Sequence, residues 1–281
     1  MSERIITYEP DNCLRKGYRT ILSDILTEIY ENRWLTYQLL KRDFLSTYKQ
    51  SFLGVLWAIL MPLATIAIFV VLNRSGILNI GDLEVPYTLY ALLGIAFWQL
   101  FANGLVACSN SLINAGPMIL KINFSKKSLV MAAIGKALVP FIVHMVMICI
   151  LFIGYGRTPS ALGLMIPVFV LPLILLTIGL GFFTSLLNGI MRDIGNMISI
   201  LLMCLMFFTP VLYARPRGGL LSVLTEYNPL YYLVAVPRDL VVSGNFSEWP
   251  GFALASFGSI LLFLICLVGF HLTETRVVER I

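Results

Sequence analysis

Residues 52–73 read FLGVLWAILMPLATIAIFVVLN, a run of 22 residues without a charged side chain. An α-helix rises about 1.5 Å per residue, so roughly 20 apolar residues cross a hydrocarbon core about 30 Å thick. Lipid offers no hydrogen-bond partners, and the backbone of such a segment must therefore satisfy its own polar groups. The run predicts a transmembrane helix.

Five further apolar blocks have a similar length: residues 87–109, 129–153, 163–188, 196–213 and 251–272. The whole chain is 58% apolar and only 12% charged, with a mean hydropathy of +0.87, whereas a soluble domain carries about 25% charged residues. We therefore predict an all-α integral membrane protein with six transmembrane helices. Its predicted domains are a cytoplasmic N-terminal arm over residues 1–51 and a six-span transmembrane domain over residues 52–281.

The distribution of Lys and Arg predicts the orientation, because these residues are retained on the cytoplasmic side of short loops. With the N-terminus inside, fifteen of the twenty fall in cytoplasmic segments and five fall outside. Both termini are thus predicted to be cytoplasmic. This asymmetry, together with anionic lipid, also accounts for the net charge of +5, which is no argument for nucleic acid binding.

The arm before the first block has the pattern of an amphipathic helix. Apolar residues recur at helical spacing between Ile21 and Tyr30, and acidic residues occupy the other side. The following stretch, residues 33–52, mixes aromatic residues with the cations Arg33, Lys41, Arg42 and Lys49. Such a helix lies in the membrane interface with its cations at the headgroups. A solvated helix packed on a neighbouring protein is the alternative.

All fifteen Asp and Glu residues lie outside the six apolar blocks. Carriers coupled to protons or sodium usually hold ionisable groups within their helices, where these groups bind the driving ion. The absence of such groups disfavours secondary transport, although sodium sites made of backbone oxygens leave it open.

The sequence also disfavours an enzyme. An intramembrane active site needs a nucleophile with a base, a metal cluster or paired acids. The two histidines, His144 and His271, have no metal-ligand spacing, and we expect His144 to be a hydrogen-bonded packing residue. Gly135-Lys136-Ala137 lacks both the first glycine and the hydroxyl of a Walker A motif. No catalytic, cofactor or metal residue is predicted, so active transport would draw its energy from another polypeptide.

Four segments, in order over most of the chain, carry a family resemblance: KRDFLSTYKQSFLGVLWAILMPL at 41–63, NSLINAGPMILKINFSK at 110–126, RDIGNMISILLMCLMFFTPVLY at 192–213 and NPLYYLVAVPRDLVVSG at 228–244. They resemble the permease subunits of ATP-binding-cassette polysaccharide exporters, the family that moves O-antigen, capsule and teichoic acid polymers. Chain length and span count match as well, and the first and fourth segments are the specific ones.

The resemblance implies a homodimer that pairs with two copies of a cytoplasmic ATPase subunit in the bacterial inner membrane. It implies an N-terminal interface helix, here Tyr18 to Gln50, and re-entrant gate helices before the last span, here within residues 220–243. The implied substrate is a polysaccharide linked to undecaprenyl diphosphate, which enters from the cytoplasmic leaflet. The chain itself would be a transporter subunit without an ATPase site.

The resemblance also implies functional residues at both sides of the membrane. The main coupling helix matches Asn114 to Lys126 and includes Lys121, and the turn at Arg192 and Asp193 matches a second contact with the ATPase. On the outer side, the resemblance implies four gate residues: Asn228, Pro229, Tyr231 and Tyr232.

The residues themselves give weaker support for a sugar polymer. Sugar rings stack on aromatic side chains without needing charge. Candidate channel residues are Tyr90, Phe97, Trp98 and Phe101 on the second span, and Phe207, Phe208 and Tyr213 at the end of the fifth. Packing against lipid or other helices is the alternative for each ring.

Three cations could contact the lipid diphosphate at the inner leaflet: Lys41, Arg42 and Lys49. Ordinary positive-inside anchoring explains them equally well. Lys136 is expected to extend toward the cytoplasmic headgroups, with contact to an anionic substrate headgroup as the alternative.

Three other functions stay open at this point. The first is an exporter of drugs or simple lipids built on the same permease fold. The second is a membrane-embedded glycan transferase or polymerase, which would be active without an ATPase. The third is a scaffold for glycan assembly that transports nothing.

Overall fold

A computed structural model describes residues 18–49, 54–75, 85–119, 124–213, 215, 218–244 and 248–278. Every regular element within these residues is helical, as the sequence predicts. The α-helices are α1 (Tyr18–Glu31), α2 (Arg33–Lys49), α3 (Trp57–Arg74), α4 (Tyr87–Ser109), α5 (Ser111–Asn114), α6 (Gly116–Ile119), α7 (Lys126–Ala133), α8 (Gly135–Gly154), α9 (Ile166–Ile190), α10 (Asp193–Phe208), α11 (Leu220–Glu226), α12 (Pro229–Val242) and α13 (Trp249–Val278). Short 3-10 helices cover Gly54–Leu56 and Ala161–Met165.

Four helical stretches in this part of the chain are long and apolar enough to cross a membrane: Tyr87–Ser109, Lys126–Gly154, Ala161–Ile190 and Trp249–Glu274. They correspond to the second, third, fourth and sixth predicted spans. The other two predicted spans fall on α3 and α10, which have 18 and 16 residues. At 1.5 Å per residue these helices extend about 27 and 24 Å. Six spans therefore remain a prediction.

The core of the protein forms around α4, most of whose residues are buried against α8, α9, α3 and α12. The most extensive helix pair is α9 with α13. A Cβ at Gly179 in α9 would lie 2.8 Å from the Cα of Phe263 in α13, so these two backbones approach closely because the position has no side chain. Small residues allow this kind of contact where lipid provides no hydrophobic drive between helices.

The long helices alternate in direction, and the bundle has two distinct ends. One end carries α1 and α2, the helices α5 to α7 and the last turns of α13; we call it the arm end. Lys127 in α7 bonds there to both Glu28 in α1 and Glu274 in α13. The beginning and the end of the described chain thus meet at the same end of the bundle, as the predicted topology requires. Which side of the membrane the arm end faces remains a prediction.

The predicted interface helix consists of α1 and α2, which meet at Asn32 in a nearly continuous helix; Gln50 lies outside the described residues. The Thr36 N–H donates to the Asn32 carbonyl at 2.9 Å. Ile25 and Leu39 are buried against the bundle. A stripe on the other side is more than half exposed: Leu26, Tyr30, Trp34 and Tyr37. An apolar and aromatic stripe left uncovered on a membrane protein favours the interfacial interpretation.

Candidate functional site

A polar pocket of about 270 Å³ opens at the arm end between α2 and the helices α4, α5, α7 and α8. Its charged residues are Arg42 and Asp43 from α2 and Lys136 from α8. The Asp43 carboxylate accepts from Arg42 Nη2 at 2.8 Å and lies 3.5 Å from Lys136 Nζ. Ser111 and Asn114 add a hydroxyl and an amide to the wall. Two cations share one carboxylate, so the pocket carries an excess positive charge.

Arg42 is the cation of this pocket best suited to an anionic ligand. Its side chain is 50% exposed, and its Nη1 lies 3.4 Å from the thioether sulfur of Met118. A thioether is a weak acceptor, whereas the guanidinium fork matches the oxygens of a phosphate. Met118 is therefore a weak partner for Arg42. Of the two other predicted lipid contacts, Lys41 is exposed and precedes Arg42 in the chain, and the side chain of Lys49 lies outside the described residues.

The predicted coupling segment, Asn114 to Lys126, is not one continuous helix over its described residues. Asn114 ends α5, α6 follows after a turn at Ala115, and Lys126 begins α7. Asn114 is exposed and also lines the pocket. Lys121 lies among residues 120–123, outside the described part of the chain.

A buried asparagine connects the two predicted contacts with the ATPase. Asn188 at the end of α9 is 1% exposed; its Nδ2 donates to Asn110 Oδ1 at 3.0 Å and to the Ser109 carbonyl at 3.2 Å. Its Oδ1 accepts from the Gly195 N–H at 3.0 Å. The Arg192–Asp193 turn, where both side chains are exposed, is thereby fixed to the loop that leads into the coupling segment. Sequence reasoning missed this network, although an amide at the end of an apolar block was its visible signal.

A second missed feature is a buried ion cluster at the arm end. Lys127 is fully buried, and its Nζ donates to Glu28 Oε2 at 2.8 Å and to Glu274 Oε1 at 2.7 Å. The Nδ1 of His271 lies 3.9 and 3.7 Å from the same two oxygens. Donor atoms of Glu28, His271 and Glu274 lie within 4.8 Å of one another, a spacing that could hold a metal ion. The ammonium of Lys127, bonded to both carboxylates, supplies the cation of this cluster.

The opposite end of the bundle holds its own buried cation. Arg238 in α12 is 4% exposed; its guanidinium carbon lies 4.0 Å from the ring centroid of Tyr90, and its Nη1 donates to the carbonyls of Pro210 and Val211 at 3.3 and 3.4 Å. Tyr90 in turn donates from its hydroxyl to the Tyr213 carbonyl at 3.1 Å. The segment after α10 is therefore held between α4 and α12.

The four predicted gate residues lie together at the junction of α11 and α12. Asn228 caps α12, since its Oδ1 accepts from the Leu230 N–H at 3.0 Å, and Pro229 occupies the first turn. The Asn228 Nδ2 donates to Thr209 Oγ1 at 2.9 Å. The Tyr232 hydroxyl donates to the Glu226 carbonyl at 2.9 Å. The two helices predicted here are present; their re-entry into the membrane and their gating role remain predictions.

Tyr231 lies in a small charged group at this junction. Its hydroxyl lies 3.5 Å from Glu248 Oε1, the oxygen to which Arg215 Nη1 donates at 2.6 Å. Burial, and then the Glu248 carboxylate, raise the pKa of Tyr231 well above its usual value. The phenol thus stays protonated over the physiological pH range and remains a hydrogen-bond donor.

The predicted channel aromatics separate into three groups. Phe97, Trp98 and Phe101 are at most 5% exposed within the core around α4, and the Phe97 ring centroid lies 5.5 Å from that of Phe141. These three rings pack between helices in the structure, and their place in a channel remains a prediction. Phe207 and Phe208 at the end of α10 are 67% and 46% exposed. Tyr90 and Tyr213 contact each other as described above.

His144, deep in α8, behaves as the sequence led us to expect. It is 1% exposed, and its Nδ1 lies 2.7 Å from the Pro140 carbonyl oxygen. A carbonyl only accepts, so Nδ1 carries the proton. The burial and this hydrogen bond agree with the expected packing role, while Nε2 is buried without a partner among the described residues.

Residues 35–242 match the ABC-2 type transporter family. This match covers more than half of the chain, from the first turn of α2 to the end of α12, and the chain belongs to that family. The predicted resemblance to a transporter permease is confirmed.

Three relatives with named functions indicate which kind of ABC-2 transporter this chain is similar to. The chain is 26% identical over 241 residues to the O-antigen export system permease protein RfbA of Klebsiella pneumoniae, covering 85% of this chain and 91% of the relative. It is 25% identical over 255 residues to the protein of the same description from Myxococcus xanthus, covering 85% and 92%. A further Klebsiella pneumoniae relative of that description is 27% identical over 206 residues, covering 72% and 78%. This chain is thus a transmembrane ABC-2 permease homologous to O-antigen export permeases.

Proposed function

We propose that this chain is the channel-forming subunit of an ATP-driven exporter that moves undecaprenyl-diphosphate-linked polysaccharide, O-antigen or a similar polymer, across the bacterial inner membrane. The observation that carries the proposal is the similarity to O-antigen export permeases over 72–85% of the chain. The excess positive charge of the arm-end pocket supports an anionic, lipid-linked substrate over a neutral drug.

In this proposal, two copies of the chain form the channel and two copies of a separate ATPase drive it. Asn114, Lys121 and Lys126 would meet the ATPase through the coupling segment, and Arg192 and Asp193 through the turn before α10. The bonds of Asn188 support a shared response, because they join the loop before the coupling segment to the start of α10. A force on either contact would reach both α4 and α10.

The substrate would enter from the cytoplasmic leaflet beside the arm. The diphosphate would bind Arg42, with Lys41 and Lys49 on the same helix and Lys136 across the pocket. Arg42 has the fork geometry for two phosphate oxygens, and Lys136 adds a point charge. The exposed apolar stripe of the arm would lie in the interface, so the lipid tail would stay in the leaflet while the headgroup reaches the pocket.

The polymer would then pass an aromatic surface toward the outer side. Phe207 and Phe208 are exposed on α10 and could line the channel of a dimer, with Tyr213 and Tyr90 at its outer end. Asn228, Pro229, Tyr231 and Tyr232 would hold α11 and α12 as the outer gate. Phe97, Trp98 and Phe101 would join the channel only if α4 rotated, since their rings are buried in its packing.

Reconstitution tests this function. The chain would be copurified with its proposed ATPase partner and placed in liposomes with a fluorescent undecaprenyl-diphosphate-linked polymer. We expect ATP-dependent appearance of the polymer on the far side, measured by its digestion with an added glycosidase. The same liposomes should not move a neutral hydrophobic drug. Drug transport without polymer transport, or polymer synthesis by the purified chain alone, would replace the proposal with one of its rivals.

A further inference from the structure

We infer that the Glu28–Lys127 contact is a positioning device that holds the arm, and with it the anion pocket of Arg42, against the helix that follows the coupling segment. This inference rests on the proposed export function, because it assigns a role in substrate binding to residues that do not line the pocket.

The first step is the location of Lys127. It is the second residue of α7, directly after the coupling segment, and its ammonium is shielded from solvent. Both of its hydrogen bonds are short and run to carboxylates from different helices, 2.8 Å to Glu28 and 2.7 Å to Glu274. A movement of the α7 start therefore pulls on α1 through one bond and on α13 through the other.

The second step concerns the contacts that α1 makes with the bundle. Among the described side chains of α1, Ile25 is buried and Ile29 is partly buried against the bundle, whereas Leu26 and Tyr30 face outward. An ion pair buried at such an edge contributes more to orientation than a surface pair, because it is protected from water and salt. Glu28 thus gives the arm's first helix a polar contact with the fully buried Lys127.

The third step connects this contact to the pocket. The backbone passes from α1 to α2 through Asn32, whose N–H donates to the Glu28 carbonyl at 3.0 Å. Further along, α2 packs against α7 and α8 and carries Arg42 and Asp43 toward Lys136. Releasing Glu28 would let the arm shift as a unit and change the distance between Arg42 and Lys136. Lys127 itself does not line the pocket, and two of its three donors bond to the carboxylates of the cluster.

The charges of the cluster supply a matched pair of variants. Glu28 comes from α1, Lys127 from α7, and His271 and Glu274 from α13; α9, which packs along α13, contributes no titratable side chain. Apart from His271, the two carboxylates and one ammonium sum to −1. In Glu28→Gln, Lys127 keeps Glu274 as its ion-pair partner, and in Glu274→Gln it keeps Glu28. Neither variant therefore leaves the Lys127 ammonium buried without a carboxylate. The first loosens the arm and the second loosens α13.

The test uses the complete complex with its ATPase in liposomes. The half-saturating concentration of the lipid-linked polymer should rise on the order of tenfold in Glu28→Gln, because a small displacement of a binding group is costly. It should stay within about twofold of wild type in Glu274→Gln, and the maximal transport rate should be retained in both. Arg33→Met, which removes an exposed charge from the same arm, is the control for surface charge.

Equal effects of the two Gln variants, or an unchanged half-saturating concentration in Glu28→Gln, would overturn the inference. A wild-type complex that moves no polymer would contradict the proposed function instead. In that case hydrogen exchange of residues 33–49 decides the positioning question without substrate. Faster exchange in Glu28→Gln than in Glu274→Gln supports the positioning role of Glu28, and identical exchange refutes it.

Discussion

Among the described residues, the two ends of the bundle each bury one cation, and they satisfy it in different ways. At the arm end, Lys127 is paired with two carboxylates that come from helices 99 and 147 residues away in the chain. At the opposite end, Arg238 is held by two backbone carbonyls, the face of Tyr90 and its neighbour Asp239, whose carboxylate is 33% exposed. Ion pairs therefore join the helices at the arm end. At the opposite end, backbone carbonyl groups and the aromatic ring of Tyr90 hold the cation instead.

This difference determines what is left behind when the cation is removed. Without Lys127, two nearly buried carboxylates face each other and a histidine. Without Arg238, two carbonyl groups lose one donor, and Asp239 keeps access to water. Uncompensated buried charge costs more than an unsatisfied carbonyl. Substitutions should accordingly destabilise the protein more at the arm end than at the opposite end. The loss of stability in variants at each end tests this difference.

The largest effect is expected for Lys127→Met. Removing one partner of a buried ion pair costs about 3–5 kcal/mol, since the other charge stays behind in a low dielectric. We expect a marked fall in the melting temperature of the purified permease in detergent. The triple variant Glu28→Gln/Lys127→Met/Glu274→Gln, which removes all three charges, should recover most of the stability. A triple variant as unstable as the single one would mean that shape, and not charge, holds this cluster.

A smaller loss is expected for Arg238→Met at the opposite end. The carbonyls of Pro210 and Val211 each lose a donor, for a cost of about 1–3 kcal/mol. Hydrogen exchange of residues 209–213 should accelerate, while exchange in the arm stays unchanged. Arg238→Lys should recover little, because an ammonium cannot stack flat on Tyr90 while donating sideways to two carbonyls. If Arg238→Met is more destabilising than Lys127→Met, the comparison between the ends is reversed.

The sequence predicts the long helices well because the physics of a lipid solvent leaves few choices. The block at 87–109 coincides with α4, Tyr87–Ser109. The predicted helix ends are wrong where a helix includes charged residues. The third block was placed from residue 129, but the helical stretch begins at Lys126, since Lys127 is buried by carboxylates that the linear sequence cannot bring to it. The last helix likewise runs past residue 272, through Glu274 to Val278.

The candidate site was less predictable, for two physical reasons. A helix that is apolar all round, such as α4, carries no periodic pattern that tells which face meets a channel and which meets a neighbour. Phe97 and Phe101 therefore could not be separated from Phe207 and Phe208 before the packing was known. The bonds of Asn188 and Lys127 join residues 78 to 147 positions apart, and no local spacing reports such pairs.

Within the arm end, a neutral polar network should be less costly to break than the ion cluster. Asn188→Ala leaves the Gly195 N–H and Asn110 Oδ1 without their partner, which costs about 1–3 kcal/mol. We also expect export per ATP hydrolysed to fall, because the start of α10 is released from the loop after α4. Asn196→Ala, at an exposed position one residue beyond Gly195, is the matched control. Loss of export in both variants would assign the effect to general damage of α10.

The smallest effect on stability, with a large effect on function, is expected for Arg192→Glu. Arg192 is exposed in the turn between α9 and α10, and a charge reversal there leaves no buried group unpaired, so the melting temperature and membrane insertion should stay as in wild type. Export should be lost, because the turn would meet the ATPase with the wrong charge. Arg157→Glu makes the same reversal at an exposed position of the opposite end and should export normally. Wild-type export by Arg192→Glu would remove this turn from the proposed ATPase contact, and the arm-end coupling would then depend on residues 114–126 alone.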